Sequence, residues 1–268
     1  MSPPIKAPGA TQDLTQEFRT QTRGIHSISD ALVNARLVFL LADRTLYGRA
    51  LTCFYLVHKQ LDMSLHAAAV STSNTDLKAF VPLLTEAART SAFEADMAFF
   101  LGPDWGTQLV RTPAVEAYVS HLQHLEDTAP LALLAHAYTQ HMALLAGGRL
   151  LAASVAKGMG LQAGGAGTAA FTFPPRDRTG RGLRGDYKDA LNKLGRELDA
   201  PTRSLLLAEH AKAFELNNAV IREFHIGLQR PLLGSIRLVC QTWWIAAPLA
   251  LGLAYTVARY SSLLPANS

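Results

Sequence analysis

Three residues of one short stretch have the types and spacing to do chemistry: Arg19, His26 and Asp30, within TQEFRTQTRGIHSISDALVNARL. On a helix of about 3.6 residues per turn, Arg19, His26 and Val33 lie on one face. Asp30 stands one turn beyond His26, so its carboxylate reaches the imidazole. A metal-ligating imidazole is usually oriented in this way, one nitrogen held by a carboxylate and the other free for the metal. The spacing makes His26 a candidate metal ligand. A solvated or core histidine would satisfy it equally.

A second grouping lies in LLAHAYTQHMALLAGGRLLAASVAKG, Leu133 to Gly158, where Gln140, Ala143, Leu144, Gly147, Gly148 and Leu151 fall on one helical face. Each glycine inside a helix costs roughly 1 kcal/mol relative to alanine. Two adjacent ones imply either that the backbone approaches something flat or kinks there, or that two helices pack closely through small residues. A third grouping is PPRDRTGRGLRGDYKDALNKL, in which Arg176, Arg178, Arg181 and Arg184 form a basic loop and Arg184 and Lys188 are one turn apart, with Tyr187 beside them. A basic pair at the start of a helix suits carboxylates or phosphates. An RG-rich run can also bind RNA, but no aromatic stacking platform accompanies it. His121 and His124, with Glu126 and Asp127 behind them, read as a solvated polar stretch. GMGLQAGGAG is not a dinucleotide loop, since no strand precedes it.

The elements that must position these residues are helices. From Leu14 to Phe224 the pattern is helical nearly throughout, with no Asn-Gly or Asp-Gly turns and no sustained alternation. Only FTFP, Phe171 to Pro174, suits an extended backbone. Breaks fall at Gly102–Asp104, Thr112–Pro113, Thr128–Pro130, Gly158–Gly167 and Phe173–Gly185, with helix caps expected at Thr112 and Thr202. The chain of 268 residues therefore reads as one all-α domain over 13–226 after a Pro/Gly/Thr-biased, disordered 1–12. A net charge of +4 favours anionic ligands or a membrane face and is too diffuse to argue for nucleic acid. Two distant cysteines, Cys53 and Cys240, exclude a CxxC zinc or dithiol motif and fit a reducing compartment.

Beyond a basic linker, 227–237, Arg237 and Arg259 bracket Leu238–Ala258, 21 residues without a formal charge. At ~1.5 Å per residue such a helix spans the roughly 30 Å core of a bilayer. Tyr255 and Tyr260 suit the interface near its far end, ahead of a short tail, 259–268. With no apolar leader at the N-terminus, the expectation is a C-terminal transmembrane tail anchor that leaves the domain facing the cytosol.

Taken in order, these stretches resemble the membrane-anchored haem oxygenases of eukaryotes. The agreement runs from Leu14 to Phe224 through TRGIHSISDAL, FEADMAFFLGPDW, RTPAVEAYV, LLAHAYT, AGGRLL, FTFP and AKAFELN. The resemblance implies a single-domain helical bundle gripping haem between a proximal and a distal helix, with the C-terminal anchor in the endoplasmic reticulum. It makes His26 the axial ligand of the iron and Asp30 its second partner. Arg19, Arg184 and Lys188 become contacts to the haem propionates, and Tyr138 and Phe214 haem-pocket residues. Gly147 and Gly148 become the distal glycines whose backbone approaches the haem face. Asn217 is a pocket residue, and Tyr118 belongs to the distal hydrogen-bond network.

The same resemblance exposes departures. Leu144 stands where the family places a distal aspartate, Ala143 where it places a glycine, Gln140 an arginine and His58 a tyrosine. The polar groups expected near a rewritten distal pocket are Gln140, His141, His58 and Asn217. Two functions follow. One is oxidative cleavage of haem to biliverdin, carbon monoxide and ferrous iron, with electrons from NADPH through a membrane-bound NADPH–cytochrome P450 reductase. The other is a haem carrier, buffer or sensor with little or no turnover.

Overall fold

The computed structural model describes residues 12–71, 75–162, 164–173 and 181–225. The linker, the tail-anchor segment and the short tail lie outside the described residues, as does nearly all of the N-terminal stretch. Among the described residues there is no strand, and nine α-helices account for most of the chain.

In chain order these are α1 (Leu14–Leu40), α2 (Arg44–Ser71), α3 (Thr75–Ala87), α4 (Thr90–Leu101), α5 (Pro113–Thr128), α6 (Leu133–Met142), α7 (Gly148–Met159), α8 (Arg181–Glu197) and α9 (Ala200–Glu223). Helices α6 and α7 are joined by a π-helical turn, Ala143–Gly147. One extra residue per turn widens the helix there, which is how a helix kinks without proline. The paired glycines thus mark a kink, and a real break in helical register.

Local chemistry sets the boundaries. Thr112 caps α5 as expected, its side chain accepting from the Val115 N–H, with Pro113 at the first helical position. At α9 the cap is Asp199 and not Thr202: the aspartate side chain accepts from the Thr202 N–H at 2.8 Å. Thr202 follows Pro201 inside the first turn, where a proline is tolerated because its missing N–H has no intrahelical partner. The basic run also differs from expectation. Helix α8 opens at Arg181, so Arg184 is helical and not in a loop. Of FTFP, Phe171 closes a 3-10 turn and only Thr172 is shown with extended dihedrals.

The bundle is arranged around α2 and α9. Helix α2 packs against α4 and α5, while α9 lies against α1, α5 and α6. Leu14 and Phe18 are fully buried and anchor the start of α1. Arg203 of α9 secures it further, its Nε 3.0 Å from Glu17 Oε2. Past Phe18 the helix is different: from Arg19 to Ala35 only Thr22 is buried. A helix so weakly covered over four turns presents a face that the bundle itself does not fill.

The segment that backs the kink is held by a buried carboxylate. Asp96 of α4 is fully buried and accepts from the N–H groups of Ala169 and Ala170 at 2.8 and 2.9 Å. Buried Arg89 donates to the Thr172 carbonyl at 2.7 Å and stacks on Phe173. These contacts set Phe171 against Gly148, where an added Cβ would stand 3.5 Å from the phenyl ring. Asp96→Ala would leave two N–H groups unpaired, that of Ala170 buried and that of Ala169 half-buried, at roughly 1–3 kcal/mol for the buried one and less for the other. We expect a fall in Tm of several degrees by circular dichroism; an unchanged Tm would show that Asp96 does not hold the segment.

Candidate functional site

The site assembles from three helices. On α1, His26 Nδ1 lies 3.0 Å from Asp30 Oδ2, and the two side chains are 58% and 63% exposed. The carboxylate takes the Nδ1–H, which leaves the Nε2 lone pair directed away from it and free for a ligand. Phe214 of α9 flanks the imidazole with ring centroids 5.5 Å apart. At the kink, a Cβ added to Gly147 would meet nothing within 4 Å. Open space thus borders the distal glycine as it borders the exposed face of α1. A histidine with one nitrogen engaged and the other free, and a glycine backbone beside open space, fit a flat ligand held from the α1 side.

The aromatic wall between these elements is continuous. Phe18 lies 5.5 Å from Tyr138 and stacks on His210 at 4.2 Å. His210 in turn meets Phe214 at 5.3 Å. Thr139 Oγ1 and His210 Nδ1 are 2.8 Å apart, tying α6 to α9. Burial raises the Tyr138 phenol to about 12, a shift that the Arg184 charge partly offsets. The Arg184 charge thus acts on the Tyr138 phenol. Arg19 and Lys188 are exposed on α1 and α8.

The distal residues named from sequence divide into two sets. In the first, Gln140 donates to the Tyr118 hydroxyl and to Asn217 Oδ1, both at 2.9 Å. Its two N–H groups are thereby used. The Tyr118 hydroxyl then donates to His136 Nδ1 at 3.1 Å, and His136 Nε2–H to Glu209 at 2.9 Å. His121 reaches the same Glu209 oxygen at 2.7 Å. This assignment satisfies every member with one donor and one acceptor per link. Sequence reading left His121 in a solvated stretch and did not single out His136 or Glu209. Their partners lie 73 and 88 residues away, so no local spacing reveals them. The ligand atoms of His121, His136 and Glu209 lie within 4.8 Å of one another, a metal-like spacing. Hydrogen bonding already consumes them, however: His136 accepts from Tyr118 and must donate through Nε2.

The second set is His58 and His141. Both are buried, with ring centroids 6.3 Å apart, and His58 also lies 4.9 Å from Phe93. Among the described residues no hydrogen bond links this pair to the Gln140 set. Leu144 is buried in the π-turn and offers no polar atom.

This is a helical ligand clasp, with a carboxylate-held imidazole on one helix and a glycine kink on another. The Heme oxygenase family model matches residues 12–223, and the chain belongs to that family. It is 30% identical to Heme oxygenase 1 of Homo sapiens over 214 residues, covering 79% of this chain and 72% of the human protein. Heme oxygenase 2 of Mus musculus is 28% identical, and there the chain spans 65% of the mouse protein's length. Among solved structures, heme oxygenase 2 from Chlamydomonas reinhardtii without heme superposes with a TM-score of 0.77 at 34% identity, covering 81% of this chain and 100% of that one. Heme oxygenase-2 from Synechocystis sp. PCC 6803, in complex with heme and NO, gives 0.69 at 28% identity, covering 80% and 85%.

Burial depresses several of these histidines. His58 and His210 are pushed down to about 3, and His136 and His141 are also lowered, desolvation leading in each case. The folded state keeps them neutral, while the unfolded chain protonates them near 6.5. Their stabilising contribution is thus full above 6.5 and is lost as pH falls toward 3, at about 1.4 kcal/mol per pH unit for each histidine. Burial alone would raise Glu209, but hydrogen bonds from His136 and His121 outweigh it and hold the carboxyl at about 2. That stability is present above the ordinary glutamate value and is lost below it. Melting curves should show Tm falling steadily from pH 7 to pH 4.5. A flat profile would mean that these histidines are charged in the native state.

Proposed function

We propose that this chain is a haem oxygenase that opens haem to a biliverdin, carbon monoxide and ferrous iron. One observation carries the reading: a carboxylate-held His26 with a free Nε2 on the uncovered face of α1, in a bundle whose kinked helix presents Gly147 to open space. Bound haem supplies the redox-active iron and is itself the molecule cleaved. The chain's own residues bind, orient and shield it.

His26 would hold the iron, with Asp30 fixing the ring's orientation. Arg19, Arg184 and Lys188 would grip the propionates, and Tyr138 and Phe214 would line the macrocycle. These cations are exposed or half-buried, so each contributes modestly and together they fix the rotation of the ring. On the other side, Gly147 would allow backbone to come within contact distance of the macrocycle, while Gly148, which faces Phe171, would support the kink from behind. Asn217 and the Gln140 amide it accepts from would close the pocket toward α9. His58 would serve the distal side from α2.

A second reading keeps the haem and drops the turnover. Leu144 is the observation behind it, because a buried leucine cannot hold the water that controlled protonation requires. Purified protein should bind one haem with a Soret band of histidine ligation. Ascorbate or a reductase should then convert that spectrum to biliverdin's, slowly. His26→Ala should weaken binding sharply or change the coordination. An unaltered spectrum and affinity in that variant would show that another residue ligates the iron. A stable haem complex with no biliverdin would favour the carrier.

The electron source we propose is NADPH through NADPH–cytochrome P450 reductase at the endoplasmic reticulum, with the domain held on the cytosolic side by Leu238–Ala258. Among the described residues, the stretch long and apolar enough to cross a membrane is Pro130–Met159. That stretch contains α6, whose residues from Leu133 to His141 are all buried, so it belongs to the bundle. Truncation after Arg230 should therefore release the protein from membranes, and alkaline carbonate should leave the full chain in the pellet. Full-length protein in the supernatant would eliminate the anchor.

A further inference from the structure

Among the described residues, four buried side-chain atoms in one part of the interior have no hydrogen-bond partner: His58 Nδ1, both ring nitrogens of His141, and the Tyr187 hydroxyl. They come from α2, α6 and α8 and stand in a row. His141 lies 6.3 Å from His58 and 5.8 Å from Tyr187, ring centre to ring centre. His141 and Tyr187 are fully buried, and His58 nearly so. A neutral imidazole has one N–H and one lone pair, and leaving both unpaired in the interior is costly. Native proteins answer such groups with ordered water. A water with two hydrogen bonds bridges polar atoms about 5 Å apart.

We propose that His58, His141 and Tyr187 enclose internal water, and that the water held by His141 serves the distal face in place of a carboxylate at position 144. The proposal rests on the oxygenase reading. His141 precedes Leu144 by three residues, one turn back on the adjoining face of the same helix. The missing acceptor is thus replaced from the neighbouring turn and from α2. Tyr187 continues the row to Tyr138, whose ring is 6.0 Å away.

His141 is suited to pass protons because neither nitrogen is committed. One nitrogen takes a proton from an inner water as the other releases its own toward the distal face. The ring ends neutral, as its other tautomer, and solvent supplies the net proton. The charged groups around the row keep it neutral. Buried Arg89, which donates to the carbonyls of Glu86, Ala87 and Thr172, opposes protonation of both histidines. Asp62, one turn from His58 on α2 and bonded to Thr90, acts on Tyr187 from the other side. In the Gln140 set, by contrast, every hydrogen is already placed.

Two measurements test this. A crystal structure of the ligand-free protein at a resolution that shows water should place a water on each His141 nitrogen; a dry site overturns the proposal. In haem-loaded protein, His141→Phe should leave haem affinity unchanged and slow biliverdin formation at least about tenfold, a modest share of what a positioned proton donor supplies. Leu144→Asp in that background should restore the rate, which a merely structural role for His141 would not allow. His141→Gln keeps a donor and an acceptor and should fall between; it carries the test where His141→Phe fails to fold. An active wild type whose rate His141→Phe does not change overturns this proposal alone. A wild type that forms no biliverdin overturns the oxygenase reading and this proposal with it.

Discussion

The rotation of α6 about its own axis decides which residues face which neighbour, and a buried hydrogen-bond chain fixes that rotation. Every residue from Leu133 to His141 is buried, so no face of α6 can turn to water. Its polar residues must find partners on particular helices. Gln140 finds Tyr118 on α5 and Asn217 on α9, and His136 joins Tyr118 to Glu209. Thr139 bonds to His210. A turn of one residue, about 100°, would break all of these at once. An apolar α6 would pack well in several rotations, and the polar chain selects one.

That fixed rotation gives the kink its meaning. Helix α6 enters the π-turn at Ala143 with its orientation set, and α7 leaves it one residue out of phase. Gly147 and Gly148 thereby present backbone on opposite sides, one to open space and the other to Phe171. At Gly148 an added Cβ would stand in ordinary contact with Phe171, on the 3-10 turn that Asp96 and Arg89 fasten. The kinked backbone borders open space on one side and needs support on the other, which the buried carboxylate of α4 provides.

Sequence alone read the features that are local in the chain. The His26–Asp30 pair needed only a four-residue offset, and the Thr112 cap followed from the Pro113 behind it. The glycine pair pointed to a close approach, a kink or tight helix packing, because its cost in helix propensity demands a reason, and the structure shows the kink. What escaped was contact between distant segments. Thr202 was a plausible cap by type, but Asp199 precedes Pro201 and binds more directly. The basic run looked like loop because glycines punctuate it, yet Leu183, Tyr187, Leu191 and Leu194 recur at helical spacing and bury one face of α8. His136 and Glu209 carry no local signal at all; only the pairing of α6 with α9 makes them a unit.

The division of the distal residues follows from the same geometry. Gln140 and His141 are neighbours on α6, about 100° apart, so they serve different sides of the helix. Gln140 turns to α5 and α9, where partners of matching polarity fill every bond. His141 turns to α2 and α8, where it meets His58 and Tyr187; among the described residues neither His141 nitrogen, His58 Nδ1 nor the Tyr187 hydroxyl has a partner. A leucine at 144 ends one polar line along the helix, and the unsatisfied row begins a single turn earlier. Polarity has not been lost from this part of the bundle. It resides on imidazoles beside the kink, which hold a proton and a lone pair together where a carboxylate would hold a charge.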